Sequence, residues 1–335
     1  MKYQEILKTE EAITLVKETF SRELMKQLNL VKVSAPIAVL DGTGINDDLN
    51  GVERPVSFPV KALEEKRAVI VHSLAKWKRL RLKELEVISG KGIITDMRAL
   101  RPDEEYSPIH SIYVDQWDWE KHIKPKERTL IYLKKSVKQI YEALKETEKV
   151  IYQKYKMSTP VLPDDITFIH SERLLQKYPF LTPKQRENEI TKEYGAVFII
   201  GIGAKLSNGE PHDGRAADYD DWSSKGKNGL FGLNGDILVW NPILQSSFEI
   251  SSMGIRVDAE SLLKQLTEKD CLERSKLTFH NMLLANELPQ SIGGGIGQSR
   301  LCMFLLKKSH IGEVQVGIWS EDEKKKMELE GVKLL

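Results

Sequence analysis

Three polar segments carry side chains that suit chemistry on a phosphorylated substrate. The first is the glycine-rich run at residues 293–297, followed by Arg300 and by apolar residues that predict a helix. Glycines let the backbone approach a flat or phosphorylated ligand, and an arginine one turn into a helix can reach it. A flexible helix entry explains the pattern equally well, so both interpretations stay open. The run matches neither a P-loop nor a dinucleotide fingerprint, which argues against both chemistries.

The second segment joins an arginine to a polar strand face. A guanidinium fixed at Arg101 suits the phosphate nearest a reacting carboxylate, because it neutralises charge that develops when pyrophosphate leaves. Strand alternation then places Gln116, Asp118 and Glu120 on one face and two tryptophans on the other. The polar face is either a ligand-binding surface or the solvent side of the strand, and spacing alone does not decide.

The third segment holds two acids, Asp236 and Glu249, at the expected positions of successive strands. Two such carboxylates can share a magnesium ion that also holds nucleotide phosphates. A lone aspartate after Asn-Gly is more often a turn residue, so the structural interpretation stays open. Arg256 follows a turn, where an exposed arginine would be unremarkable. The acidic run at residues 218–222, taken alone, predicts a solvated loop.

Helices and strands in alternation must position these segments. Apolar periodicity predicts helices at residues 9–28, 73–82, 129–155, 259–266, 276–285 and 298–306. Short β-rich runs predict strands at residues 31–35, 68–72, 112–119, 196–202, 236–240 and 248–250. Strands in runs with helices between them favour an α+β fold over a strict βαβ repeat.

Composition narrows the class of protein. With 41% hydrophobic residues among 335, the chain can bury a sizeable core, and its net charge of +1 supplies no bulk attraction for a polyanion. Cys271 and Cys302 have no metal-ligand spacing and suit a reducing compartment. The N-terminus lacks a signal-peptide pattern, and the longest apolar run, residues 196–204, is too short to span a bilayer. We therefore expect a cytoplasmic protein without a membrane partner or a transition metal.

Taken together and in this order, the segments resemble the catalytic domain of class II aminoacyl-tRNA synthetases, nearest the aspartate and asparagine group. The first helix and residues 33–36 look like the first family motif, a dimer-interface element ending in proline. Arg101 falls where the second motif places its phosphate-binding arginine, and residues 293–300 match the third motif, G-x-G-x-G-x-x-R. The resemblance implies an α+β domain, with a mainly antiparallel sheet flanked by helices, and a homodimer.

The resemblance narrows to the ammonia-dependent asparagine synthetases, the aspartate–ammonia ligase family, which is related to that fold. The similarity runs from about residue 10 to about residue 320, and the family-like segments lie at residues 71–79, 99–104, 113–119, 218–222, 233–240 and 248–256. The loop at residues 42–49 is one residue longer than the family pattern. It leaves Asp47 and Asp48 as alternatives for an acid of the pocket, and we favour Asp47.

This family resemblance implies ATP-dependent synthesis of L-asparagine from L-aspartate and ammonia through a β-aspartyl-adenylate, with release of AMP and pyrophosphate. Lys78 and Arg256 would clamp the α-carboxylate of aspartate. The other implied substrate residues are Gln116, Asp118 and Ser252, with Asp47 and Asp220 as the acids that receive ammonia. The implied ATP residues are Arg101, Asp236, Glu249, Gly295 and Arg300, with Mg²⁺ held by Asp236 and Glu249.

The number of residues that lie outside the motifs favours a ligase over a tRNA synthetase. Only 35 residues follow Arg300, whereas an anticodon-reading barrel needs on the order of a hundred. We therefore expect one catalytic domain over residues 1–335, without an anticodon-binding domain or a nucleic-acid partner. Use of glutamine as the nitrogen source would need an amidotransferase, usually with a reactive cysteine. Residue 2 is lysine and both cysteines lie late in the chain, so free ammonia is the favoured nitrogen source. The alternatives are a tRNA-free synthetase paralogue that serves another acceptor and a regulatory amino-acid-binding paralogue.

Overall fold

The computed structural model describes residues 2–47, 53–156, 159–226 and 229–335. The α-helices of these residues are α1 (Lys2–Leu28), α2 (Ala75–Glu84), α3 (Leu130–Tyr155), α4 (Ser171–Lys177), α5 (Pro183–Tyr194), α6 (Ala259–Glu268), α7 (Thr278–Leu284), α8 (Gln298–Leu305) and α9 (Glu321–Leu329). The strands are β1 (Leu30–Lys32), β2 (Ala38–Leu40), β3 (Ser57–Val60), β4 (Lys66–Ile70), β5 (Gly92–Leu100), β6 (Tyr113–His122), β7 (Thr167–His170), β8 (Ala196–Ile200), β9 (Asn234–Asn241), β10 (Ser246–Ile255) and β11 (Ser291–Gly297).

An eight-stranded sheet, in the order β1-β5-β6-β11-β10-β9-β8-β7, forms the centre of the fold. Its inner pairs are antiparallel, and only the outermost pairs, β1 with β5 and β7 with β8, are parallel. Strands β2, β4 and β3 make a small second sheet. This architecture confirms the predicted α+β fold with a mainly antiparallel sheet flanked by helices.

Alternation along β6 divides the sheet into an apolar face and a polar face. Trp117 and Trp119 are buried in the main core, where Phe20 of α1 lies 4.7 Å from Trp117 between ring centroids. Asp118 and Glu120 point to the other face, and both are also buried. The tryptophans thus lie on the predicted core side. The opposite face is not the solvent side, because other elements cover it.

Several elements differ from their predicted form. The first helix begins at Lys2, before the amphipathic segment at which we expected it to start. Strand β5 was not predicted, and its first four residues are all buried, so they lack the polar alternation that marks a half-exposed strand. The additional elements without a clear sequence signal are β2, β3, β7, α4, α5 and α9.

The glycine-rich run is a strand, which corrects the predicted turn before a helix. Residues 293–297 belong to β11, and they pair with β6 on one side and β10 on the other. The helix predicted after them is confirmed as α8. The run therefore lies in the centre of the sheet rather than in a loop. Among the helices of the described ranges, none combines the length and the apolar character that a membrane span requires.

Candidate active site

A cavity of about 290 Å³ lies over the central strands, on the face opposite the core tryptophans. Most predicted site residues line it: Asp47, Lys78, Arg101, Gln116, Asp118, Asp220, Glu249, Ser252, Arg256, Gly295 and Arg300. Asp236 is the predicted site residue that does not line this cavity, and the alternative acid Asp48 lies outside the described residues. The fold therefore brings together side chains that are widely separated in the sequence.

Two buried cations, Lys78 and Arg256, face this cavity. The Lys78 ammonium donates a hydrogen bond to the carbonyl oxygen of Gly294 at 2.9 Å and lies 3.3 Å from Asp118 Oδ1. Burial lowers the pKa of Lys78, and the nearby Asp118 carboxylate only partly offsets this. Arg256 follows the last residue of β10 and is almost completely buried. Two cations held in this way make a site for a carboxylate.

Glu120 holds the Arg256 guanidinium in place. Arg256 Nε donates to Glu120 Oε1 at 3.0 Å, and Nη2 donates to Oε2 at 2.8 Å. Burial raises the pKa of Glu120, but the charge and hydrogen bonds of Arg256 outweigh it and leave the pKa below its ordinary value. We did not assign Glu120 to the site from the sequence. The signal was present, because alternation already placed it on the same strand face as Asp118.

Three buried carboxylates, Asp47, Asp118 and Asp220, lie beside the two cations. Ser73 Oγ donates to Asp47 Oδ2 at 3.0 Å, and the backbone amide of Leu74 donates to Asp118 Oδ2 at 3.2 Å. Asp220 accepts a hydrogen bond from Arg256. Anionic oxygens clustered next to a carboxylate site provide the charge that an amine or ammonium ion needs.

The acidic run at residues 218–222 is buried, so the predicted solvated loop is wrong. Asp218 has no solvent exposure, and it accepts hydrogen bonds from Lys76 Nζ at 2.8 Å and from His280 Nε2 at 3.0 Å. Burial raises the pKa of Asp218, but Lys76 and His280 outweigh it and hold the pKa well below its ordinary value. Lys76 and His280, from distant parts of the sequence, compensate the negative charge of Asp218. The run can therefore stay buried and hold Asp220 at the cavity.

Two arginines mark the remaining wall of the cavity. Arg101 Nη2 donates to the His72 carbonyl oxygen at 3.4 Å, and Arg300 Nη1 donates to the Glu249 carbonyl oxygen at 3.4 Å. Both side chains are about one quarter exposed, at 24% and 23%, so each can still exchange these long contacts for ligand oxygens. Guanidinium groups of this kind suit phosphate oxygens and the face of a purine.

The predicted magnesium acids, Asp236 and Glu249, lie on the neighbouring strands β9 and β10. Ser252 is the register partner of Asp236, and its hydroxyl donates to Glu249 Oε1 at 3.1 Å. Burial, with the charge of Glu249 as a smaller contribution, raises the pKa of Asp236 to about 7, although Arg215 opposes this shift. Two mutually repelling carboxylates fit a hard divalent cation.

Within the described ranges, no group of three or more His, Cys, Asp or Glu side chains is arranged to hold a metal ion. A cation at Asp236 and Glu249 would therefore take its other ligands from phosphates and water, as Mg²⁺ commonly does. The two carboxylates therefore fit a metal ion that is shared with a phosphorylated ligand better than a metal ion that is coordinated by the protein alone.

Arg215 also lines the candidate site, although no sequence signal indicates it. Its guanidinium donates a hydrogen bond to Asp236 Oδ1, and its Nε lies 3.6 Å from Asp220 Oδ2. The side chain lines the main cavity and also an adjoining cavity of about 740 Å³. No motif surrounds this arginine in the sequence, because it lies in an irregular loop between β8 and β9.

Comparison with known proteins identifies the relatives of this chain. A family model described as aspartate–ammonia ligase matches residues 7–331. An aspartate–ammonia ligase of Parabacteroides distasonis is 57% identical over 327 residues, which cover 98% of this chain and 95% of the relative. A Clostridium perfringens protein of the same name is 56% identical over 327 residues, again with 98% and 95% coverage.

Superposition on solved structures shows which proteins share the fold of this chain. An asparaginyl-tRNA synthetase from Pyrococcus horikoshii, complexed with asparaginyl-adenylate, superposes with a TM-score of 0.66 at 16% identity over 92% of this chain and 68% of that one. The Entamoeba histolytica asparaginyl-tRNA synthetase, also with asparaginyl-adenylate, gives 0.66 at 14% identity over 93% and 66%. These two structures show the class II synthetase fold. With a family model over nearly its whole length and relatives more than half identical, the chain belongs to the aspartate–ammonia ligase family.

Proposed function

We propose that this protein makes L-asparagine from L-aspartate and ammonia, with ATP converted to AMP and pyrophosphate through a β-aspartyl-adenylate. The observation that carries the proposal is one cavity that contains a carboxylate clamp, a group of acids and two arginines suited to phosphates. The names of the relatives, at 57% and 56% identity over nearly the whole chain, support the same reaction.

In this proposal the clamp fixes the orientation of aspartate. Lys78 and Arg256 bind the α-carboxylate through charge-assisted hydrogen bonds, and Asp118 and Gln116 face the α-ammonium group. The β-carboxylate then points along the cavity towards Arg101. Holding the β-carboxylate in line with the nucleotide supplies much of the rate enhancement, because positioning alone can be worth about 7–11 kcal/mol.

ATP binds along the wall formed by the two arginines. Arg101 binds the α-phosphate and stabilises the charge that develops on pyrophosphate departure, and Arg300 contacts the adenine face or the distal phosphates. The absence of a side chain at Gly295 lets the nucleotide or its adenylate lie close to the strand. Asp236 and Glu249 would hold Mg²⁺, which neutralises phosphate charge when bound.

The amide step uses the acids next to the clamp. Asp47 and Asp220 receive an ammonium ion and take one proton from it, which leaves ammonia with a free lone pair. Ammonia attacks the β-carbonyl carbon, the new C–N bond forms, and the bond from that carbon to the phosphate oxygen breaks to release AMP. The surplus proton on the nitrogen passes to a carboxylate, so that neutral asparagine amide remains.

Three proposals concern the whole molecule. We place the protein in the cytoplasm, where ATP is available. The reducing conditions of that compartment suit the unpaired cysteines, Cys271 and Cys302. We infer one catalytic domain over residues 1–335 without a nucleic-acid partner. We also infer a homodimer. The apolar side chains of Val31 and Ile37 support it, because they are 63% and 62% exposed on either side of residues 33–36, the segment that resembles the first synthetase motif.

The deciding experiment supplies aspartate, ATP, Mg²⁺ and ammonium to the purified protein and measures asparagine, AMP and pyrophosphate. We expect all three products in equal amounts and in proportion to ammonium. Formation of ADP would contradict the adenylate mechanism. Pyrophosphate release that does not respond to ammonium would favour the alternative function, activation of an amino acid for another acceptor.

A half-reaction assay tests the two acids. Replacing Asp47 or Asp220 with alanine should reduce amide formation by about a hundredfold, because it removes a group that accepts the ammonium proton. Aspartate-dependent exchange of pyrophosphate into ATP should fall much less, since this exchange needs no ammonia. Asp41→Ala is the control, because Asp41 is half exposed and lies outside the cavity lining. Equal loss of both half-reactions in either site variant would refute the assignment.

A further inference from the structure

The carboxylate proposed for the metal already has a cation partner in the protein itself. The Arg215 guanidinium donates to Asp236 Oδ1 and extends towards Asp220, and the Arg215 side chain is only 9% exposed. Asp236 in turn lies next to Glu249, which receives a hydrogen bond from Ser252. A fixed positive charge therefore stands beside the pair of acids that would otherwise attract a divalent ion.

An arginine and a divalent cation compete for this pair of acids. The oxygen of Asp236 that accepts from Arg215 cannot at the same time serve a metal at full strength, and the two positive charges would repel each other. A metal that binds here must first displace the guanidinium. Its apparent affinity is therefore the intrinsic affinity multiplied by the fraction of molecules in which Asp236 is free of Arg215.

We propose that Arg215 is a built-in counter-cation, which occupies Asp236 while the nucleotide site is empty and exchanges this carboxylate for phosphate oxygens when metal and nucleotide arrive together. The inference rests on the proposed function, because it assumes that Asp236 and Glu249 serve a nucleotide-bound metal. The contact between Arg215 and Asp236 would weaken the binding of free divalent ions to the nucleotide-free enzyme. The exchange would also give Arg215 a role in binding the phosphates of ATP.

The position of Arg215 suits this exchange. It lines both the main cavity and the adjoining one, together with Arg101, Glu104, His110 and Tyr219. The arginine therefore lies at the junction of the two spaces, with its charged end on Asp236 and near Asp220. Rotation of the side chain can carry the guanidinium from Asp236 to a phosphate without refolding of the main chain.

Manganese(II) binding to the nucleotide-free, full-length protein tests the proposal, with free Mn²⁺ measured by electron paramagnetic resonance. Arg215→Met should bind Mn²⁺ about tenfold more tightly than the unmodified protein, because the competing cation is gone. Adding Asp236→Asn to that variant should remove the gain. Arg22→Met is the matched control, because it removes one positive charge from an exposed side chain of α1 and should leave Mn²⁺ binding unchanged.

Equal Mn²⁺ affinity in Arg215→Met and the unmodified protein would overturn the proposal, as would a gain that survives Asp236→Asn. If the methionine variant does not fold, Arg215→Gln gives the same readout, since it retains a hydrogen-bonding side chain and loses only the charge. The measurement needs no turnover. A gain in Mn²⁺ affinity combined with failure to make asparagine would therefore sustain the role of Arg215 and reject the proposed reaction.

Discussion

At the scale of single residues, the Arg256 guanidinium is held by Glu120, a side chain that does not line the cavity. Glu120 has no solvent exposure, and both of its oxygens accept hydrogen bonds from Arg256. Without this partner, the buried guanidinium would retain Asp220 as its anionic neighbour and could turn towards it. We infer that Glu120 is a positioning residue, which holds Arg256 where the proposed clamp binds the α-carboxylate of aspartate.

Glu120→Gln tests this role with little change of shape. The substitution removes the carboxylate charge and leaves one amide oxygen to accept hydrogen bonds from Arg256, so we expect the KM for aspartate to rise about tenfold. The kcat should change less, because the reacting carboxylate lies at the other end of the substrate. Steady-state kinetics on the purified variant measure both constants, with Glu105→Gln on the charged loop after β5 as the control. An unchanged KM together with a reduced kcat would argue against positioning.

How far the sequence predicts the site depends on where each residue lies. Strand alternation places Gln116 and Asp118 on one face, and the family resemblance assigns both to the site. The same resemblance assigns Lys78, which lies on α2 and is distant from them in the sequence. Arg215 has neither kind of signal. It lies in an irregular loop, where no periodicity indicates the direction of a side chain, and its partners become visible only when the sheet brings Asp236 beside it.

At the scale of elements, the glycines of β11 make space for side chains of the neighbouring strand. A Cβ atom at Gly295 would lie 2.3 Å from Gln116 Oε1 and 2.8 Å from Asp118 Oδ1. A Cβ atom at Gly293 would lie 1.9 Å from Glu120 Oε2. The β11 glycines are therefore needed for steric reasons. Without them, the polar face of β6 could not hold its functional side chains against the adjacent strand.

Gly295→Ala should damage the site more than the fold. We expect the KM for aspartate to rise and the kcat to fall, because Gln116 and Asp118 must move, and we expect a loss of stability of about 1–3 kcal/mol from overpacking. Kinetics and urea unfolding measure the two effects. At the control position, Gly317, an added Cβ would meet its nearest atoms at 3.7 Å, so Gly317→Ala should be neutral. Full activity of Gly295→Ala would show that the cavity tolerates the shift.

A buried ionic cluster joins three elements beneath the site. Asp218 contacts Lys76 of α2 and His280 of α7, and it lies two residues before Asp220. The pKa of Asp218 is lowered in the folded state, because these partners outweigh the effect of burial. A carboxyl group of this kind stabilises the fold at pH values above its unfolded pKa. The stabilisation is lost as the pH falls through the folded pKa.

Asp218→Asn should therefore cost stability near neutral pH and progressively less in acid. We expect a loss of about 3 kcal/mol at pH 7, because the buried Lys76 ammonium loses its charged partner. Below about pH 4 the carboxyl group of the unfolded chain binds a proton while the native carboxylate stays ionised, so the difference between variant and unmodified protein should shrink as the pH falls towards the folded pKa. Urea unfolding across this pH range provides the measurement. A difference that is constant with pH would exclude the ion pair as its cause.

The elements predicted well from the sequence are those whose burial is one-sided. Helix α3 was anticipated almost to the residue, since one apolar face packs on the core and the other meets solvent. Strand β5 begins with four consecutive buried residues and was missed. For the loop at residues 218–222 the prediction from sequence is wrong for the opposite reason. Its charges indicate solvent until partners such as Lys76 and Arg128 are known from the fold.

At the scale of the whole molecule, a nearly neutral chain conceals a strongly charged centre. The net charge is +1, yet Arg256, Lys78, Asp118 and Asp220 are buried together around one cavity. Because these charges are paired inside the fold, they add little to the field at the surface. Recognition of aspartate and ATP must therefore come from the shape and the local charges of the cavity rather than from long-range attraction.

The exposed edge of the main sheet provides the test of the proposed homodimer. Val31 on the edge strand β1 and Ile37, which immediately precedes β2, expose 63% and 62% of their surface, which is unfavourable for apolar side chains that stay in water. We expect light scattering to give about twice the 38.3 kDa chain mass, and Val31→Glu with Ile37→Glu to give the single-chain mass. Ile131→Glu, at an 82% exposed position of α3, should leave the dimer intact. A single-chain mass for the unmodified protein would exclude the dimer.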